Sequence, residues 1–386
     1  MFTNLLELIK SMPDEATCRK YVAEQRWGAG KVECPYCGHN KAYVIEGGKK
    51  YKCASRYCYK KFSVTVGTFM EDTKLPLIKW LTAIYIIASH KKGISSHQLS
   101  RDLGITQKNA WFLLHRIRKI LTPQYTKQLG TVVEVDEMYV GGSIANKHVS
   151  KRKEYALNPN WQGNKTTVLG MVERGGNAMA KVIEYEDAGE VERAVRDNVE
   201  YATVLVTDSH NFYTKLNDDY YHNRVNHKLN EYVRGKFHTN TVEGMFSHFK
   251  RMVYGIYHSI SPKHTQQYLN EFIHRYNTRK LKDADRFTLA LKNLNGRLTY
   301  ADLLASPVPR KAPAAPKPIN RKFKPVIQRI NDEVVGQYNS LVEAERMTGV
   351  YAKYISQCIR GKREKAGGFS WDYVFTFEEW QNQQRP

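Results

Sequence analysis

The sequence predicts a multidomain chain of mixed α/β class, and three stretches say so. Four cysteines stand in two close pairs, Cys34-x-x-Cys37 and Cys53-x4-Cys58. Two helical patterns joined by a Gly-containing turn follow at residues 95–121. A β-branched run from Thr131 to Val140 then carries a carboxylate, Asp136, near its middle. At 386 residues the chain can hold several domains with cores of their own. Lys and Arg number 60 against 38 Asp and Glu, a formal charge of +22. A surplus that large points to a polyanionic partner, nucleic acid first. The first ten residues have an acid in their apolar run and lack a signal-peptide layout. Leu77 to Ser89 is short and holds Lys79, so it cannot span a bilayer. The expectation is a cytoplasmic chain with no membrane partner.

Residues 1–30 read as two short helices, with Phe2, Leu5, Leu6 and Ile9 at helical spacing and Pro13 between the helices. Cys18, alone in the second, reads as a packed thiol. Residues 31–72 read as a zinc ribbon. Two cysteine pairs on two hairpins supply the four thiolates that tetrahedral zinc takes, and Gly38 permits the tight turn after the first pair. So small a module has little core, so the metal contributes much of its folding energy.

Residues 73–125 read as a helix-turn-helix. Ser95 or Ser96 caps one helix, which ends at Leu103-Gly104, and Thr106 caps the next. Gln107, Lys108 and Asn109 would lead that second helix into a major groove. An ordinary helical hairpin is the plain alternative.

Residues 126–300 are mixed. Strands are expected at 131–140, 166–174 and 179–186, a helix from Gly189 to Tyr201, and the strand VLVTD ending at Asp208. A mid-strand carboxylate such as Asp136 has no routine structural task and costs several kcal/mol to bury alone. Glu243 lies in the first turn of a further helix, and Lys250 follows two turns on, on the same face. Glu137 is expected on the opposite face of its strand from Asp136. Asp136, Asp208 and Glu243 converging on Mg2+ or Mn2+ would make a site for displacement at phosphorus. Two plainer readings stay open: Asn240-x-x-Glu243 also fits a helix capping box, and Asp208 also fits a turn residue before Ser209.

The matching stretches are CPYCG with YKC…CYKKFSVTVGT, VEVDEMYVGG, VTDSHNFY, and HTNTVEGMFSHFKR through NEFIHRYNTR. In that order they resemble the D-D-E transposases of the bacterial insertion-sequence group related to Merlin transposons, the zinc-ribbon, ISXO-like type. The resemblance covers roughly residues 1–285. It implies a ribonuclease-H-like catalytic core in which Asp136, Asp208 and Glu243 hold the metal and Lys250 assists. Some members appear with Asn at the third acidic position, which nominates Asn240 as the alternative. The resemblance further implies recognition of terminal inverted repeats, cleavage by water, then strand transfer by the freed 3′-hydroxyl. Double-stranded DNA, as transposon ends and target, and a homodimer or higher oligomer would be the partners, on the nucleoid if the source is bacterial. A transposon-derived DNA-binding regulator that no longer cleaves is the alternative function.

Residues 301–325 read as a basic, Pro-rich linker. Residues 326–386 are similar to the intron-encoded nuclease repeat, a small α+β helix-turn-helix module. That resemblance gives DNA contact to Lys353, Arg360, Lys362 and Arg363, with a dimerisation or purely structural cap as the alternative. Gly255-Ile256-Tyr257 evokes a homing-nuclease strand, but its Tyr-Ile-Gly partner is absent from the sequence.

Overall fold

The computed structural model describes residues 2–28, 30–122, 128–141, 148–156, 165–183, 188–229, 231–305, 326–331, 333–338, 341–359 and 362–373. The linker segment 306–325 and Arg360 lie outside these residues. Among the described residues no helix is long and apolar enough to cross a membrane.

The chain opens with α1 (Leu5–Ser11) and α2 (Glu15–Trp27), capped by the side chains of Asn4 and Asp14. Burial of Cys18 raises its thiol to about 11, as for an inert core residue. Strands β1 (Ala42–Ile45), β2 (Lys50–Cys53) and β3 (Lys61–Phe62) make a small antiparallel sheet in the order β1-β2-β3. Helix α3 (Leu77–Ser89) is buried along nearly its whole length, with Trp80 in its first turn. Helices α4 (Ser96–Leu103) and α5 (Gln107–Ile120) follow, capped by Ser95 and Thr106 as the sequence indicates. Gly104 takes the left-handed conformation (φ 57°) that turns one into the other.

The central part contains β4 (Val132–Val140), α6 (Val149–Ala156), β5 (Thr166–Glu173), β6 (Ala178–Ile183), α7 (Ala188–Asn198), β7 (Val204–Asp208) and β8 (Tyr221–Val225). Next come α8 (Asn240–Met252), α9 (Thr265–Asn277), α10 (Asp283–Leu291) and α11 (Tyr300–Leu304). The C-terminal part has β9 (Val326–Ile330), β10 (Glu333–Tyr338), α12 (Leu341–Thr348), α13 (Ala352–Ile359) and β11 (Ser370–Tyr373).

The chain divides into two compact units. The first comprises Met1–Lys127, Asp136–Glu184 and Asn240–Ala312. Its β5–β6 hairpin is antiparallel, and β5 is flanked by β6 and β4. Helix α8 lies on this sheet through Val242, Met245, Phe246 and Phe249, which share a core with Met138, Val168 and Val172. The approach is close because β5 has Gly170 there; a Cβ would stand 2.5 Å from the Phe246 ring. Helix α10 belongs to another cluster. Phe287, Ala290 and Leu291 pack among the N-terminal helices, with Phe287 against Phe2, Tyr21 and Tyr85.

A buried ionic node ties α5 to α9 within this unit. Arg118 Nε lies 2.5 Å from Glu271 Oε2, both side chains fully buried. Arg275 also pairs with Glu271, and the Tyr257 hydroxyl donates to it at 2.6 Å. Arg275 Nε donates to the Ile87 carbonyl. Burial together with the Arg118 charge brings the Arg275 guanidinium down to about 10. Tyr257 reaches the node from a π-helical turn, Val253–Tyr257, that follows α8 directly. Gly255-Ile256-Tyr257 is therefore helical rather than the strand a homing nuclease would require.

The second unit comprises Gln128–Val135, Tyr185–Thr239 and Pro313–Pro386. In it β4 pairs parallel with β7, and β7 pairs parallel with β8. Glu134 is fully buried, with His238 Nδ1 3.3 Å from its Oε1. Its C-terminal portion has the sheet β10-β9-β11 and a core of Val326, Ala344, Ile355, Cys358 and Trp371.

Candidate active site

Two places in the chain gather residues that the sequence singles out. The first is the cysteine cluster. The thiol sulfurs of Cys34, Cys37, Cys53 and Cys58 all lie within 4.8 Å of one another. Cys34 to Cys58 is 3.9 Å and Cys37 to Cys53 is 3.6 Å. A tetrahedron with zinc–sulfur legs of about 2.3 Å has edges of about 3.8 Å, so the four sulfurs fit Zn2+. The backbone supports them, since Gly38 N donates to the Cys34 carbonyl and Ser55 N reaches the Cys53 sulfur at 3.4 Å.

The second place is a cleft of roughly 770 Å³ in the first unit. Asp136 from β4 and Glu243, Ser247 and Lys250 from α8 all line it. Glu243, Ser247 and Lys250 are exposed, and their spacing puts them along one helix face above the buried Val242, Met245, Phe246 and Phe249. Asp136 is half-buried, and its Oδ1 accepts the Glu137 amide at 2.8 Å. Glu137 borders the same cleft, although strict alternation along the strand would turn it away. A cleft at the end of a strand can be reached from both of the strand's faces. Asn240, exposed in the first turn of α8, is not among the lining residues.

Three cations, Lys165, Lys250 and Arg251, line the cleft with the acids. Lys250 was legible from its spacing to Glu243. Arg251 and Lys165 were not, nor were Tyr139 and Tyr254, which also line the cleft. Lys165 precedes β5 directly, and its ammonium is 5.8 Å from the Tyr139 ring. No periodic pattern marks such a residue; only strand pairing brings it there.

Asp208 belongs to the second unit, at the C-terminal end of β7. It is half-buried, and its Oδ1 accepts the His210 amide at 2.9 Å, so it also makes the turn that the plainer reading expects. The strand before it is braced by His222, whose Nε2 lies 2.8 Å from the Thr207 hydroxyl. Burial, aided by Arg224, pulls His222 down to about 3, so it is neutral there.

Of the other residues singled out by sequence, Gln107, Lys108 and Asn109 are exposed at the start of α5. Gln107 bonds Ser96 across the turn, and Lys108 sits 4.9 Å from the Tyr300 ring. Lys353, Lys362 and Arg363 are exposed in the C-terminal portion, with Arg363 4.7 Å from the Tyr354 ring.

Residues 128–277 match the family described as ISXO2-like transposase domain, and residues 13–61 match the transposase zinc-ribbon domain. Together they define the class: a chain that carries transposase domains. Within that class, the central domain belongs to the ISXO2-like transposase family. A protein of Halobacterium salinarum, described as an uncharacterized protein in transposable element ISH50, is 26% identical over 277 residues. The match spans 68% of this chain and 91% of that relative. Among solved structures, the Mos1 strand transfer complex matches at 13% identity and a TM-score of 0.22, over 55% of this chain and 74% of that one. The Mos1 transposase paired-end complex with left transposon end matches at 13% identity and a TM-score of 0.18, over 56% and 80%. Superposition at such scores transfers no residue role.

Proposed function

We propose that the chain is a DNA transposase that binds the terminal inverted repeats of its element, cleaves DNA and joins the freed end to a target. The observation that carries this reading is the shared cleft of Asp136, Glu243 and Lys250. The strand register supports Asp208 as the third acid. Val132, Val133 and Glu134 of β4 pair with Val204, Leu205 and Val206 of β7, the strand that ends at Asp208. A ribonuclease-H-like core fits that parallel pair of acid-bearing strands.

Asp136, Asp208 and Glu243 would hold Mg2+ or Mn2+, since carboxylate oxygens are the hard donors such ions take. When bound, the cations supply charge neutralisation and an activated oxygen for in-line displacement. The chain's own residues do the rest. Lys250, Arg251 and Lys165 bind the phosphates on either side of the scissile bond and keep the strand in line. Asp136 and Glu243 would hold the cations between β4 and α8. Cleavage uses water and joining uses the 3′-hydroxyl, both as phosphoryl displacements at one site with no covalent protein–DNA link.

In this reading the zinc ribbon and the α4–α5 pair hold the element's ends, with Gln107, Lys108 and Asn109 leading into the groove. Lys353, Lys362 and Arg363 add DNA contact from the C-terminal module. Paired ends require at least a dimer on DNA, working on nucleoid DNA in the cytoplasm. The test is incubation with a duplex bearing the element's own end, with Mg2+. Nicked and strand-transfer products are expected. Binding by the intact chain without any nick would instead make it a DNA-binding regulator.

A further inference from the structure

We propose that the outer face of the zinc ribbon binds single-stranded DNA by stacking unpaired bases on exposed tyrosines held between lysines. The inference goes beyond the cleavage reading and stands without it, because it concerns binding alone.

The sheet register defines the face. Tyr43 pairs with Lys52, and Lys52 pairs with Lys61. Cross-strand partners share a face, so these three side chains point one way. Tyr51 and Phe62, paired with each other, point the other way. They are buried at 9% and 2% exposure, and both rings meet Trp27 of α2. One face is therefore core, and the other is open.

The open face departs from an ordinary solvated surface. Tyr43 is 55% exposed, and the two metal-binding loops add Tyr36 at 50% and Tyr59 at 56%. Each ring has a cation beside it: Lys41 at 5.9 Å from Tyr43, Lys52 at 5.6 Å from Tyr59, and Lys60 at 4.7 Å from Tyr36. Lys52 thus lies beside both Tyr43 and Tyr59, and Lys60 lies beside Tyr36. Between residues 31 and 62 eight Lys and Arg stand against two Glu. The patch is strongly basic as well as aromatic.

Tyr59 follows Cys58 as Gly38 follows Cys37, and both take positive φ (+50° and +71°), so the cysteine turns set that conformation. The second turn thus displays an aromatic ring where the first has only glycine. A duplex offers phosphates to the lysines but hides the faces of its bases. An unpaired strand offers both, and alternating cations and rings are the general means of holding one.

The experiment uses the full, zinc-loaded chain. Anisotropy is read with a labelled short oligothymidylate and, separately, a labelled hairpin duplex. Tyr43→Ser with Tyr59→Asn should weaken oligothymidylate binding by about tenfold or more and duplex binding by less than about twofold. Tyr43→Phe with Tyr59→Phe, which keeps the rings, should restore the single-strand affinity. Zinc content per chain is measured for each variant. In the unaltered chain, oligonucleotide bearing iododeoxyuridine should photocrosslink to peptides containing Tyr36, Tyr43 or Tyr59. Equal losses on both DNAs, unchanged single-strand affinity, or crosslinks confined to other peptides would each overturn the proposal.

Discussion

The cysteine cluster and the carboxylate cleft bring their side chains together in opposite ways. The cysteines lie within 25 positions of one another, Cys34 to Cys58, and two short hairpins bring them together. The cleft needs β4, α8 and the sheet between them, with Asp136 and Glu243 more than a hundred positions apart. A local cluster depends on its metal for folding; a distant one depends on the fold to exist at all. The first therefore breaks by loss of structure, and the second by loss of chemistry in an intact structure.

That contrast sets the expected effects. Cys53→Ser should be the most severe for stability, since structural zinc contributes on the order of 10 kcal/mol to such modules. Limited proteolysis should open the 31–62 segment while α8 and its sheet stay protected; cleavage of both together would show that the two regions fold as one. Glu243→Gln should leave the fold and DNA binding unchanged and cut strand cleavage by about a thousandfold, the effect of losing roughly 4 kcal/mol of charge stabilisation. Asn240→Ala, at the exposed residue outside the cleft, should change the cleavage rate by no more than about threefold. A reversed ranking of these two variants would move the ligand.

Acid acts gradually rather than at one residue. Burial holds His115 at about 3 and His274 at about 4, against 6.5 for a free imidazole. The unfolded chain takes up the protons first. Stability present above pH 6.5 is therefore lost as pH falls towards 4, at up to about 1.4 kcal/mol per pH unit for each histidine. Thermal melts of the wild type and His274→Gln across that range should show a shallower acid slope in the variant. Identical slopes would remove His274 from the account.

What could be seen in the sequence follows the same division. The cysteine pairs were visible because ligand spacing is local. The helix caps at Ser95 and Thr106 were visible for the same reason, and so was the face shared by Glu243 and Lys250. Lys165 and Tyr139 were hidden, because strand neighbours carry no signature along the chain. The return of α10 to the N-terminal helices was hidden too, since Phe287 and Phe2 are joined only by packing. Asp208 was read as either ligand or turn former, and its bond to the His210 amide shows how one carboxylate oxygen can serve the turn and leave the other for different work.

The extra residue in the turn after α8 sets a phase. Each residue of a regular helix advances the side chains by about 100°. If one position between 253 and 256 were deleted, ordinary helix would run through, and the Tyr257 phenol would swing away from the carboxylate it now meets. Most substitutions there would leave that angular setting alone. Changes of length would unsettle it, so this short segment acts as a counting device in which the number of residues matters more than their identity.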